Sequence, residues 1–179
     1  YKRQNLSTMK KSKIIYVSGG QRSGKSAFAE RLVLQLSKSP VYLATATIYD
    51  EEMEKRVAKH QQRRGDNWQT IEAPLHFDAD LSGKTVLLDC ITMFATNHFF
   101  AANENVENAL NSIIKEIDKL FSQVDATIIA VSNEIGLGGV SANKMQRQFA
   151  DLQGSINQYV AQLADEAYMI VSGLPLKLK

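Results

Sequence analysis

Ile14-Ile15-Tyr16-Val17-Ser18-Gly19-Gly20-Gln21-Arg22-Ser23-Gly24-Lys25-Ser26 decides the fold. Four apolar residues run into glycines, which predicts a short buried strand ending in a turn. Gly19 to Ser26 then spells G-x-x-x-x-G-K-[ST], the P-loop pattern for nucleoside triphosphates. The residue types follow from the chemistry. Glycines let successive backbone N–H groups curl around phosphate oxygens. The helix expected from Lys25 offers the positive end of its dipole to the anion. Lys25 supplies a cation for the β and γ phosphates, and the Ser26 hydroxyl is a ligand for Mg²⁺. Gly20, Gln21, Arg22, Ser23 and Gly24 line the loop between.

Outward from the loop, Ser26 to Leu34 is rich in helix formers, and Pro40 breaks the run. Val41 to Thr45 reads as a second strand, completing a βαβ unit and hence a parallel pair. Residues 50–64 are polar and helical in pattern, with Asp50 as cap and Gly65 as terminator. Trp68 to Glu72 is a short extended segment, and Val86 to Asp89 a core strand ending in an acid. Residues 105–122 carry an apolar stripe at three- and four-residue steps. Thr127 to Val131 is a further strand. Residues 143–164 form a second amphipathic helix, with Met145, Phe149, Leu152, Ile156, Val160 and Leu163 on one face. Ala167 to Val171 is a strand, and Gly173 and Pro175 turn the chain into Leu176 to Leu178. Strands alternating with helices predict an α/β domain with a mainly parallel central sheet flanked by helices.

The 179 residues suit one domain, 14–179, preceded by a basic N-terminal extension, 1–13. That extension holds Lys2, Arg3, Lys10, Lys11 and Lys13 without an acid, leaving 16 basic against 19 acidic residues in the remainder. A mildly acidic body argues against nucleic-acid binding. No apolar run is long enough to span a bilayer, and no stretch has the layout of a secretory signal. The single cysteine, Cys90, forms no internal disulfide, so a cytoplasmic protein with a buried structural thiol is expected.

Asp89 ends its strand where the P-loop pattern calls for a second acid, a metal-ligand position in such sites, although strand-end acids also occur without function. Arg56, His60 and Arg64 recur every four residues on the polar helix. That spacing fits a solvated face. It also fits an imidazole nucleophile between guanidiniums that offset phosphate charge. His76 and His98 sit among apolar residues and read as structural, and no histidine and acid cluster has metal-ligand spacing.

The chain from Ile14 to Lys179 resembles the bifunctional adenosylcobinamide kinase / adenosylcobinamide-phosphate guanylyltransferases of cobalamin biosynthesis. The resemblance rests on Ser18 to Ser26, Tyr42 to Ala46, Asp50 to Met53, Arg56 to His60, Trp68 to Glu72, Leu87 to Thr92 with Asn97, Ser132 to Gly136, Asn157-Gln158 and Ala164 to Glu166. The segment after Gly136 departs from the family pattern at Ser141, and Ala150 stands where a second arginine is usual. The resemblance implies a RecA-like P-loop fold, commonly assembled as a trimer. It implies phosphorylation of adenosylcobinamide with ATP or GTP. Transfer of GMP from GTP through a guanylylated histidine follows, at the position of His60, giving adenosylcobinamide-GDP. It places nucleotide contacts on the P-loop, Thr45, Ala46 and Thr47, Gln61, Gln62, Arg63 and Arg64, Glu72 and Asp89, with Ser26 and Asp89 toward metal. Two other readings stay open on the residues alone: a single-activity P-loop small-molecule kinase, and a RecA-like ATPase module.

Overall fold

The computed structural model describes residues 11–48 and 50–179; the side chains of Glu52, Met53, Arg56, Lys59, His60 and Arg63 lie outside the described residues. The chain runs β1 (Lys13–Gly19), α1 (Lys25–Leu36), β2 (Val41–Ala44), α2 (Glu51–Arg64), β3 (Gln69–Glu72), β4 (Thr85–Asp89), α3 (Ile91–Ala101), α4 (Val106–Phe121) and β5 (Thr127–Asn133). A 3₁₀ turn (Gly136–Gly138), α5 (Lys144–Leu163), β6 (Glu166–Val171) and β7 (Leu174–Lys177) complete it.

The seven strands form one sheet in the order β3-β2-β4-β5-β1-β6-β7. All neighbours are parallel except β6 and β7. One strand, β5, therefore separates the P-loop strand from the strand that ends in Asp89. Alternation along β1 builds a core on each face. Ile14 and Tyr16 point to the side of α3, α4 and α5, where Ile113, Ile117, Ile156 and Val160 meet them. Ile15 and Val17 point to the side of α1, where Ala29 and Val33 pack. Strands buried on both faces read as continuous apolar runs, which is why β1, β4 and β5 stand out in the sequence.

Most predicted elements lie where expected, within a residue or two at their ends. Three differences have physical causes. Helix α3 has no counterpart in the sequence reading: Ile91, Thr92, Phe94, Ala95, Asn97, His98 and Phe99 are all buried, so it carries no single apolar stripe. Its β-branched and aromatic residues are also weak helix formers. Ser12 and Lys13, assigned above to the basic extension, lie in the body. Ser12 is buried with its hydroxyl on the Phe121 carbonyl, and Lys13 opens β1 with its ammonium 2.6 Å from Glu166. The last strand runs antiparallel, from Leu174 to Lys177, as the edge of the sheet, where Pro175 is tolerated.

Helix α2 is unlike the others. Its described side chains are exposed except Val57 and Arg64, which are half-buried. Core packing by its described side chains does not account for this helix.

Candidate functional site

The strand register draws the predicted site residues along the carboxyl edge of the sheet. Glu72 of β3 and Asp89 of β4 are both in register with Ala44, the last residue of β2. Gly19, ending β1, is in register with Asn133, ending β5. Ligands of open α/β sheets bind at this edge.

The P-loop is braced from behind. Gly19 approaches so closely that a Cβ there would lie 2.6 Å from Ser23 Oγ and 2.7 Å from the Ile170 carbonyl. The β6–β7 turn, Ser172-Gly173, has positive φ at both residues, as a tight two-residue hairpin requires. The Gly173 amide donates to the Ser23 carbonyl at 2.8 Å, tying that hairpin to the loop. Gly24 caps α1 in the left-handed region, φ 95°, with no side-chain cap and no acid in the first turn. The N-termini of α4 and α5, by contrast, are closed by Asn105 and Asn143. The amides opening α1 are thus left for an anion.

Lys25 is buried, and its ammonium donates to the Gly20 carbonyl across the loop at 3.0 Å. Burial lowers its pKa, while Cys90 and Asp89 act in the opposite direction. Ser26 follows in the first turn of α1, half-buried, whereas Gln21 and Arg22 are exposed. Ser26 and Asp89 offer a hydroxyl and a carboxylate, hard oxygen donors that fit Mg²⁺, which takes few protein ligands when phosphates supply others. Among the described residues no cluster of three or more His, Cys, Asp or Glu forms a metal cage.

Around Asp89 the structure gathers residues from β2 and α2. The Tyr42 hydroxyl lies 3.5 Å from Asp89 Oδ2, and burial together with the Asp89 charge keeps the phenol protonated. The Arg64 guanidinium stacks over the Tyr42 ring, 3.3 Å from its centroid. Trp68 meets the same ring edge-on. The C-terminal turn of α2 is therefore pinned beside Asp89. His60 lies four residues earlier on the α2 backbone, about 6 Å along the axis. The proposed Arg56, His60 and Arg64 face involves side chains outside the described residues, as does Arg63; Gln61 and Gln62 are exposed.

Thr45 has no exposed surface. Its hydroxyl donates to the Cys90 carbonyl at 2.8 Å and accepts from the Cys90 amide at 2.9 Å, clamping the ends of β2 and β4 together. Its carbonyl accepts from Asn97 of α3 at 2.8 Å. Ala46 and Thr47 follow, half-buried, and Glu72 is exposed. Burial, then the Asp89 charge, pushes the Cys90 thiol up to about 12, which removes it as a thiolate nucleophile. His98 is buried against Phe94 with Nε2 3.0 Å from the Leu75 carbonyl, and His76 lies 3.1 Å from Glu116.

One residue at this edge had no role assigned from sequence. Glu134 directly follows β5, and its amide donates to the Gly19 carbonyl at 3.1 Å. Its only sequence signal is membership of the Ser132 to Gly136 motif. Beyond it a groove of about 820 Å³ opens between α3 and the start of α5, lined by Phe99, Phe100, Ile135, Val140, Met145 and Phe149 among others.

A mainly parallel sheet with a glycine loop and lysine after an interior strand, and an acid two strands away, defines a P-loop nucleotide-binding protein of RecA-like fold. A prototypical ATPase of a bacterial type III secretion system has the same fold, with TM-score 0.52 at 13% identity over 92% of this chain and 56% of that one. The family of cobinamide kinase / cobinamide phosphate guanyltransferase matches residues 15–178, and the chain belongs to it. It is 37% identical to the bifunctional adenosylcobalamin biosynthesis protein CobU of Salmonella typhimurium and 35% identical to that of Escherichia coli. Each match covers 93% of this chain and 99% of the relative. The protein is thus a bifunctional transferase, a cobinamide kinase and cobinamide-phosphate guanylyltransferase. Among the described residues no helix is long and apolar enough to cross a membrane.

Proposed function

We propose that one triphosphate site at the carboxyl edge serves both reactions, with His60 as the nucleophile of the second. In the kinase step the hydroxyl of the corrinoid's aminopropanol arm attacks the γ phosphorus of ATP or GTP, and the nucleoside diphosphate leaves. Lys25 and the loop amides from Gly20 to Ser26 hold the β and γ phosphates and offset the charge that builds there. Mg²⁺, held by Ser26 and Asp89, would neutralise charge on the triphosphate. In the transferase step a neutral His60 nitrogen attacks the α phosphorus of GTP, forming an N–P bond as pyrophosphate departs. The corrinoid phosphate then attacks the same phosphorus, the N–P bond breaks, and adenosylcobinamide-GDP leaves with the imidazole restored.

The observation that supports this reading is the anchoring of α2: Arg64 stacks on Tyr42, and Tyr42 reaches Asp89, which ties the C-terminal turn of the helix that carries His60 to the acid of the site. Thr45 joins β2 to β4 and so positions Ala46 and Thr47; these, with Gln61 to Arg64 and Glu72, lie on the segments beside the carboxyl edge and complete the nucleotide contacts. Residues 14–179 act as one catalytic domain in the cytoplasm, assembled as a homotrimer; the exposed Leu137 and Val140 favour such an assembly. Incubation with α-labelled GTP is expected to give a protein-bound label that is acid-labile and base-stable, as a phosphoramidate is. His60→Ala should not label. Labelling of that variant at the wild-type level would remove His60 as the nucleophile.

A further inference from the structure

We propose that Glu134 is the base that takes the proton from the acceptor hydroxyl in the kinase step. The inference rests on the P-loop holding the triphosphate donor.

Position comes first. Asn133 is paired with Gly19 across the sheet, and the Glu134 amide is bonded to the Gly19 carbonyl, so the residue is fixed to the first glycine of the loop. Immediately after it, Ile135 and Gly136 open onto the groove between α3 and α5. Glu134 thus stands between the donor's phosphate loop and a cavity of the size that takes bulky ligands.

The side chain is held in a way that leaves it free to react. Asn157 Nδ2 donates to Oε1 at 3.0 Å, and the Tyr16 hydroxyl approaches the same oxygen at 3.5 Å. Asn157 is itself oriented, since its Oδ1 accepts from Ser132 at 2.7 Å and from Gln153 at 2.8 Å. Among the described residues no hydrogen bond reaches Oε2, and no cation pairs with the carboxylate. A purely structural acid in this place would have its charge satisfied. Here a neutral amide network aims one oxygen and leaves the other open. Burial raises the pKa of this half-buried carboxyl, making it a better proton acceptor than a solvated acid.

The step balances. Oε2 accepts the hydroxyl proton as the alcohol oxygen forms its bond to the γ phosphorus. The bond from that phosphorus to the β,γ-bridging oxygen breaks, and the nucleoside diphosphate leaves with the electron pair. Glu134 then returns its proton to solvent. The groups facing it are Tyr16 from β1, which burial keeps protonated, and the neutral Asn157 from α5. The pH dependence is therefore that of Glu134 itself, with the rate falling as pH drops through its raised pKa.

The test uses Glu134→Gln, whose amide oxygen still accepts from Asn157. Transfer of γ-label to adenosylcobinamide should slow by roughly 10²–10⁴-fold, with GMP transfer to separately prepared adenosylcobinamide phosphate kept within about threefold. The acid-side fall in the wild-type kinase profile should vanish from the residual rate. A wild-type kinase rate in Glu134→Gln, or an equal loss of both reactions, would overturn the proposal. If Glu134→Gln does not accumulate folded, Glu134→Asp replaces it: withdrawing the carboxylate by one methylene should slow the kinase step alone by about 10²-fold, and an unchanged rate or an equal loss of both would overturn it. A wild-type protein that bound no triphosphate would instead fail the P-loop reading, and Glu134's role with it.

Discussion

Gly24→Ala tests whether the P-loop is braced by the last hairpin. Gly24 has φ 95°, in the left-handed region, and a Cβ there would lie 3.2 Å from Gly173 Cα. The left-handed conformation costs about 1–2 kcal/mol for a residue with a Cβ. The contact is with backbone of the β6–β7 turn, which is held by its hydrogen bond to Ser23 and cannot swing away as a side-chain tip would. Overpacking of that kind adds about 1–3 kcal/mol. Loss of the glycine's freedom in the unfolded chain returns about 0.4–1 kcal/mol. The net loss lies between about 1 and about 4.6 kcal/mol, which in a domain of this size lowers Tm by about 2–18 °C. Gly20→Ala is the matched control: φ there is not positive, and nothing lies within 4 Å of its Cβ. It should melt at or slightly above the wild-type temperature while weakening GTP binding by crowding the phosphates. Calorimetric melting with and without GTP reads both effects. Equal Tm for the two variants would refute the bracing argument.

Two further outcomes follow from the geometry. Thr45→Val removes both hydrogen bonds to Cys90 and strands the Cys90 amide, while the carbonyl keeps its bond from the Phe94 amide, so urea denaturation should show a loss of about 1–3 kcal/mol. Glu166, bonded first by Lys13 and then by Tyr168, is held down to about 2, well below the usual carboxylate range. Its contribution is present in full above the ordinary glutamate range and drains away as pH falls toward 2. Glu166→Gln should be less stable than wild type at neutral pH and should lose less stability across that acid window in melts as a function of pH.

The nucleotide half of the site was legible in sequence because its chemistry is local. A strand, glycines, a lysine and a hydroxyl must follow one another, and they do so within Ile14 to Ser26. The continuous apolar runs of β1, β4 and β5 and the stripes of α4 and α5 were legible for the same reason. What escaped depends on contacts distant in the chain. Helix α3 is buried around its circumference and hides its period. The brace on the P-loop comes from Gly173, some 150 residues after the loop it supports. The hydrogen bonds by which the Thr45 hydroxyl joins β2 to Cys90, 45 residues on, leave no mark in the sequence. Glu134 could not be singled out because its setting is made by Gly19 and Tyr16 of β1 and Asn157 of α5, one element far before it in the chain and the other after it.

The central claim is that a single P-loop site supports both chemistries. Adenosylcobinamide incubated with GTP and Mg²⁺, followed by mass spectrometry of the corrinoid, tests it most directly. The wild-type protein should yield the phosphate and then the GDP adduct, and Lys25→Ala, folded by circular dichroism, should yield neither. A Lys25→Ala protein that still makes GDP adduct from supplied adenosylcobinamide phosphate at the wild-type rate would contradict the claim, because GTP would then be held elsewhere for the second reaction.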